Sequence, residues 1–318
     1  MSIIYKRVIL GLALIVPALC VVTGAQSGEA LITNQPADSI TVLDTTTMAP
    51  LGEIKLSGKP AGIALSADKS LAYVAAPDGK VLFEIDAVAR TVLRKLDLGG
   101  GPLGIAAHPS KAEVYVADWY AHKIAVVDGV SLTVVATIQV GQSPSGLAVT
   151  PDGKLLLSAD RDSDQISIID VATRAVVATV ATGKRPFGVT IDSGGKLAYT
   201  ANVASDDVTV VDIAAHKVVQ AIAVGKRPYA VALAAGRGFV TDQYGGTVTV
   251  FDVKSGTKEK AIDACDHPEG IEADTAGAHV YVACWGDNIV LKIDAKTLRI
   301  LAKGKVGNGP RAFGKFLR

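Results

Sequence analysis

Cysteine is nearly missing from this chain: its 318 residues hold only Cys20, Cys265 and Cys284. That is too few for a disulfide scaffold, and the Cys-x-x-Cys-His run that attaches haem does not occur. A surplus of charge is missing too, with 32 Lys and Arg against 31 Asp and Glu. A near-neutral chain has no long-range field for nucleic acid or an anionic membrane, so either partner would need a local patch. No convincing helix pattern follows the first 25 residues, and no glycine-rich phosphate loop leads into one. Nothing in the spacing pairs a serine nucleophile with a histidine and an acid.

The one long apolar run stands at the N-terminus. Lys6 and Arg7 precede Val8 to Val22, and small residues follow around Thr23 and Ala25, which is the order of a secretory signal. The run is shorter than the roughly 20 residues that span a bilayer, so no stable membrane span is expected after processing. Cys20 would suit a lipid anchor, but Leu19 before it is bulkier than the small residue normally found there. Residues 1–25 are therefore expected to be removed after Ala25. Residues 26–318 then form a single domain in the periplasm or outside the cell, where Cys265 and Cys284 meet oxidising conditions.

What the sequence has is a period. Pro60, Pro102, Pro144, Pro186, Pro228, Pro268 and Pro310 are spaced by 42 residues, with one interval of 40. Each sits in a glycine-rich phrase such as Gly141, Pro144, Gly146 and Leu147. Within the third unit an apolar segment from Ser145 to Thr150, a Pro151-Asp152-Gly153 turn and a run from Leu155 to Ala159 make a hairpin. Gln165 to Asp170 and Ala175 to Val180 add two more strands. Four strands repeated at this period are the signature of propeller blades, so an all-β, seven-bladed β-propeller of four-stranded antiparallel blades is expected. Third strands all end in aspartate, at Asp44, Asp86, Asp128, Asp170, Asp212, Asp252 and Asp294. Seven carboxylates in register read as turn formers rather than catalysts, and the repeated Gly and Pro as setters of backbone shape. The two-residue deficit falls around Ala234 to Arg237, in a hairpin.

The phrases Tyr73-Val74-Ala75-Ala76, Tyr115-Val116-Ala117-Asp118, Tyr199-Thr200-Ala201-Asn202 and Tyr281-Val282-Ala283-Cys284, with the Pro-Asp-Gly turn and Val-Val-Asp third strands, resemble the YVTN family of β-propeller repeat proteins. The resemblance covers essentially the whole mature chain. It implies seven blades and frequent export by bacteria or display on archaeal surfaces, in a family with no single activity. The N-terminal unit has a second, third and fourth strand but no first. Residues Gly309 to Leu317 carry the first-strand phrase and stop, so the C-terminus is expected to pair with the N-terminal blade and close the ring.

Function is sought where units depart from the common pattern, in two loop families on one face: the loops into the first strands and those after the second strands. The first family gives Lys184, Arg185, Phe187, Lys226, Arg227, Tyr229, His267 and Arg311, with Glu269 beside them. The second gives Trp119 and Trp285, with Tyr120, Arg161, Asp162, Gln243 and Tyr244. In a chain only 5% aromatic, this gathering points to a binding face. The ten residues Lys184, Arg185, Phe187, Lys226, Arg227, Tyr229, Trp119, Trp285, His267 and Arg311 form the expected ligand-binding set, for an anionic small molecule or a protein partner. Single-stranded nucleic acid would suit the same mixture, but export and neutral charge argue against it. No cofactor is identified.

Cys265 and Cys284 lie on the same face of the sixth blade, Cys284 opposite Pro268 in a regular ladder. A disulfide is the favoured reading. The alternatives are a Cu(I) or Zn²⁺ site built from Cys265, His267 and Cys284, or two inert thiols. An exported, non-enzymatic binding propeller is the expected function. The rival is a propeller enzyme of lactonase or lyase type, with His267 or Glu269 as base and Arg227 or Arg311 as stabiliser.

Overall fold

Each repeat folds into one antiparallel sheet. In blade 3 the strands Pro144–Val149, Leu155–Asp160, Gln165–Asp170 and Ala175–Ala181 pair in sequence order. The computed structural model describes Met1 and residues 28–318, so the expected signal and its cleavage point lie outside the described residues. First strands of successive blades pack on one another and line the axis. The middle strands are covered on both faces by neighbouring blades, and accordingly carry runs such as Leu155–Ala159 rather than strict alternation. Fourth strands form the outer rim and are mostly exposed.

The described residues form seven sheets. Five have four strands, one has three, and one gains a fifth. The three-stranded sheet (Glu29–Asn34, Ser39–Asp44, Pro50–Lys55) is the N-terminal one, and the C-terminal segment completes it. Bridges join Asn34 to Pro310 and Ala30 to Leu317. The Arg311 amide donates to the Thr33 carbonyl (2.8 Å), and the Leu31 amide to Phe316 (2.9 Å). Between these bridges the segment swings sideways, and Phe313–Gly314 pairs in parallel with Gly62 and Ile63 of blade 1. The closing segment therefore stitches two blades.

Buried Glu272 of blade 6 clasps the same segment, accepting the Phe316 and Leu317 amides at 2.5 and 2.7 Å. The Arg318 guanidinium holds Glu29 at 2.5 Å.

All seven third-strand aspartates accept backbone N–H groups of the turn that follows, Asp86 from Val88 and Ala89 and Asp170 from Thr173, for example. The deficit in blade 5 is a two-residue turn with Ala235 and Gly236 at positive φ. The glycine after the proline has a different reason from the one expected. A Cβ at Gly62, Gly104, Gly146, Gly188 or Gly270 would strike a backbone oxygen of the next first strand, at 1.6 Å from Ser145 O in the case of Gly104. These glycines permit close approach of blades around the axis.

Candidate functional site

The loops into the first strands share a backbone device. The residue before the proline is left-handed at Lys59, Ser143, Arg185 (φ 58°), Arg227 (φ 54°), His267 (φ 51°) and Gly309. For a residue with a Cβ this conformation costs about 1–2 kcal/mol, so surrounding bonds must enforce it. They come from the preceding blade: Asp38, Asp164 and Asp206 accept the amides of Lys59, Arg185 and Arg227, each at 2.8 Å. His122 and Asn288 do the same for Ser143 and Gly309.

These aspartates also engage the lysines. Lys184 Nζ lies 2.7 Å from Asp164, and Lys226 Nζ 2.6 Å from Asp206. Hydrogen bonding by Lys184, then by the Arg185 amide, lowers the Asp164 pKa. Both lysines are largely exposed and tied into blade-to-blade contacts.

The arginines stand on the same loop face. Arg161, on a single 3-10 turn (Arg161–Ser163) after the second strand of blade 3, lies over the Trp119 ring at 5.3 Å. Arg227 lies over the Tyr244 ring at 4.4 Å. Burial lowers the pKa of Arg161; Asp162 opposes this, and the charges of Arg185 and Arg227 add to it. Arg185 and Arg227 thus stand near enough for their charges to act on Arg161. Asp162 stands between two of these arginines, 2.7 Å from Arg161 Nη1 and 3.9 Å from Arg185 Nε. The arc continues through Tyr244, His267 and Trp285, with ring centroids 5.5 and 6.1 Å apart. His267 Nδ1 is 2.6 Å from Asp266.

Beneath lies an aromatic floor. Phe187 packs 4.6 Å from Tyr229, 5.0 Å from Phe313 and 6.2 Å from Trp119. Phe187 and Tyr229 are buried, so they back the site rather than project from it. Glu269, 1% exposed, sits at the same depth. Its Oε1 accepts Gln243 Nε2 at 2.7 Å. Its Oε2 is 3.5 Å from Arg311 Nε, and neither of those two atoms has a hydrogen-bond partner. Arg311 donates instead to the Tyr229 hydroxyl at 3.1 Å. Burial raises the pKa of Glu269, opposed by Arg311, Gln243, His267 and Arg227. Trp285 Nε1 is a further buried group without a partner.

The axial cavity, about 1090 Å³, opens on the other side of the disc. Its walls are residues of the first strands of blades 1 to 6, including Leu147, Val189, Val231 and Ile271, together with Phe313 to Lys315 of the closing segment. The axial cavity and the arginine-aromatic arc therefore belong to opposite faces. The arc has unpartnered polar atoms, Glu269 Oε2, Arg311 Nε and Trp285 Nε1, and none of these lines the cavity. The buried Glu272 of the cavity wall, whose pKa burial raises, is already bonded to the Phe316 and Leu317 amides, so we take the arc as the candidate site.

Cys265 and Cys284 form a disulfide, with Cα atoms 5.9 Å apart, and Cys284 does oppose Pro268. Blades 3 and 5 explain its place. There Asp160 and Asp242 accept the amides of Gly141 and Gly225 at 2.9 Å, from positions equivalent to Cys284 and Cys265. Blade 6 replaces this bond between side chain and backbone by a covalent one. With both sulfurs bonded to each other, the two thiolates of a metal site are not available. Among the described residues no group of three His, Cys, Asp or Glu is placed to hold an ion.

Of the ten expected residues, Arg185, Arg227, Trp119, Trp285 and His267 lie along the arc, and Phe187, Tyr229 and Arg311 lie beneath it. Lys184 and Lys226 turn to their aspartates. Phe313, which completes the floor, was not expected; only its place two residues after Arg311 on the closing strand could have signalled it. Arg161 and Asp162 carried a signal, as departures from the repeat, that the ten-residue set did not include.

Comparison with known proteins agrees with the fold. A model of the YNCE-like beta-propeller family matches residues 106–195 and 152–237, which together make up less than half of the chain. The shared statement is a β-propeller repeat protein, and the YVTN resemblance is supported only that far. No curated protein matches the chain. Among solved structures, the chain is similar to a hydrazine synthase of Kuenenia stuttgartiensis at 22% identity and TM-score 0.73, covering 80% of this chain and 89% of that one. It is also similar to a functionally unknown protein from Desulfotomaculum acetoxidans DSM 771, at 14% identity and TM-score 0.75, covering 91% of this chain and 100% of that one. At these identities the likeness is one of fold.

Proposed function

We propose that this propeller is an exported, non-enzymatic binding protein that takes an anionic ligand, or an acidic element of a protein partner, on the arginine-aromatic arc. The observation that carries the reading is the layering of Arg161 and Arg227 on aromatic rings, with Arg185 sharing Asp162 with Arg161. Guanidinium groups backed by rings are common anchors at binding surfaces. Export rests on the order of charges and apolar residues before Ala25. In a thermal-shift panel of carboxylates, phosphate and sulfonates, at least one anion is expected to raise the melting temperature. Arg185→Glu combined with Arg227→Glu should abolish that rise. An intact response in the double variant would exclude this face as the site.

An enzymatic reading has one observation in its favour, the buried Glu269 with its unpartnered Oε2 beside Arg311. In that reading Glu269 is the general base and Arg311 the electrostatic stabiliser. Turnover of a lactone or ester, lost in Glu269→Gln, is its test.

A further inference from the structure

We propose that the anion accepted by this face is a carboxylate borne on an aromatic ring, and that Asp162 holds that carboxylate's place in the unliganded protein. The inference rests on the anion-binding reading above and gives it a chemical class.

Asp162 is delivered to the arginines by its backbone. The Arg161 amide donates to Ser143 O at 3.2 Å and the Asp162 amide to Gln142 O at 3.1 Å, pinning the 3-10 turn to the first-strand loop of its own blade. The side chain then enters the space between Arg161 and Arg185. That space already accommodates a carboxylate. One carboxylate shared by two guanidinium groups leaves one of their positive charges unbalanced. Asp164 is bonded to Lys184 and the Arg185 amide and Asp206 to Lys226 and the Arg227 amide, while Glu269 lies buried beneath the arc, bonded to Gln243 and 3.5 Å from Arg311 Nε. Asp162 is about one-third exposed, so an incoming anion can displace it without unfolding the loop.

The aromatic part follows from the layering. Arg161 and Arg227 each use one guanidinium face on a ring of the protein, Trp119 and Tyr244. The opposite face of a guanidinium can take a second planar group while its N–H edge bonds an oxyanion in the plane. A flat ring carrying a carboxylate uses both. Acetate offers no ring, and phosphate is tetrahedral.

The test is titration of the full chain with benzoate, acetate and inorganic phosphate, followed by tryptophan fluorescence and calorimetry. Benzoate is expected to bind about tenfold more tightly than the other two. Asp162→Asn, which removes the internal competitor, is expected to lower the benzoate Kd by about threefold or more at an unchanged unfolding midpoint. Asp162→Ser replaces it if the Asn variant is destabilised. Acetate or phosphate binding as well as benzoate, or benzoate binding unaltered or weakened by the Asp162 substitution, overturns the inference while leaving the anion-binding reading in place. Silence towards all three anions in both wild type and variant overturns both.

Discussion

Gly104 and Gly99 stand five residues apart and are glycine for different reasons. A Cβ on Gly104 would lie 1.6 Å from Ser145 O, in backbone that cannot yield without separating blades 2 and 3. Gly99 has φ of 61° but nothing within 4 Å. Gly104→Ala should therefore destabilise by about 3 kcal/mol or more, and Gly99→Ala by about 1 kcal/mol, the cost of the left-handed conformation alone. Chemical denaturation of the two variants checks this, and equal losses would contradict close approach as the reason for Gly104. The repeat made these glycines visible, but a one-dimensional pattern cannot distinguish a glycine needed for its φ from one needed for the absence of a side chain. The same limit applies to Lys184-Arg185 and Lys226-Arg227. Adjacent in sequence, they read as equal cations, yet the left-handed turn sends the lysines to Asp164 and Asp206 and leaves the arginines on the arc.

Among the elements, blade 6 differs most from its neighbours through its disulfide. Closing a loop of 19 residues' separation, the bond is expected to contribute about 3 kcal/mol on chain-entropy grounds. Cys284→Ala should lose about that much. Cys265→Gly with Cys284→Asp should lose more still, because the carboxylates of Asp160 and Asp242 are also held by Ser158, Gln165 and Ser167 or by Thr247 and Thr249, where blade 6 has Ile289 and Leu291. Reduced and oxidised wild type, compared by urea unfolding, supply the reference. A double variant more stable than Cys284→Ala would mean that the amide bond alone can hold the carboxylate. The strand order of every blade was legible because apolar runs, turn residues and prolines recur in phase. The layering of Arg161 on Trp119 was not, since those residues come from different blades.

For the whole molecule, closure is the decisive feature. The last segment completes the N-terminal sheet, crosses to blade 1, and is held by Glu272 and by the pairing of Arg318 with Glu29. Phe313 on the same segment packs against Phe187 and Tyr229. Deleting residues 309–318 should therefore open the ring and loosen the floor of the site together. The expected result is an unfolding midpoint lowered by 10 °C or more, on the order of several kcal/mol for a domain of this size, with loss of anion response. A truncated chain as stable as wild type would show that the velcro-like seam is dispensable.

What the amino-acid order determined by itself was the number of blades, their strand content, the turn role of the aspartates and the place of the seam. The first three are local properties repeated along the chain, so periodicity amplifies them above the noise of any one segment, and the seam shows as the one unit that lacks its first strand. Tertiary structure alone decided which cations stay available, where Asp162 rests, and that the large axial cavity and the arginine-aromatic arc face opposite ways. Those are contacts between residues one or more blades apart, and a ring brings such residues together at distances that their separation along the chain does not encode.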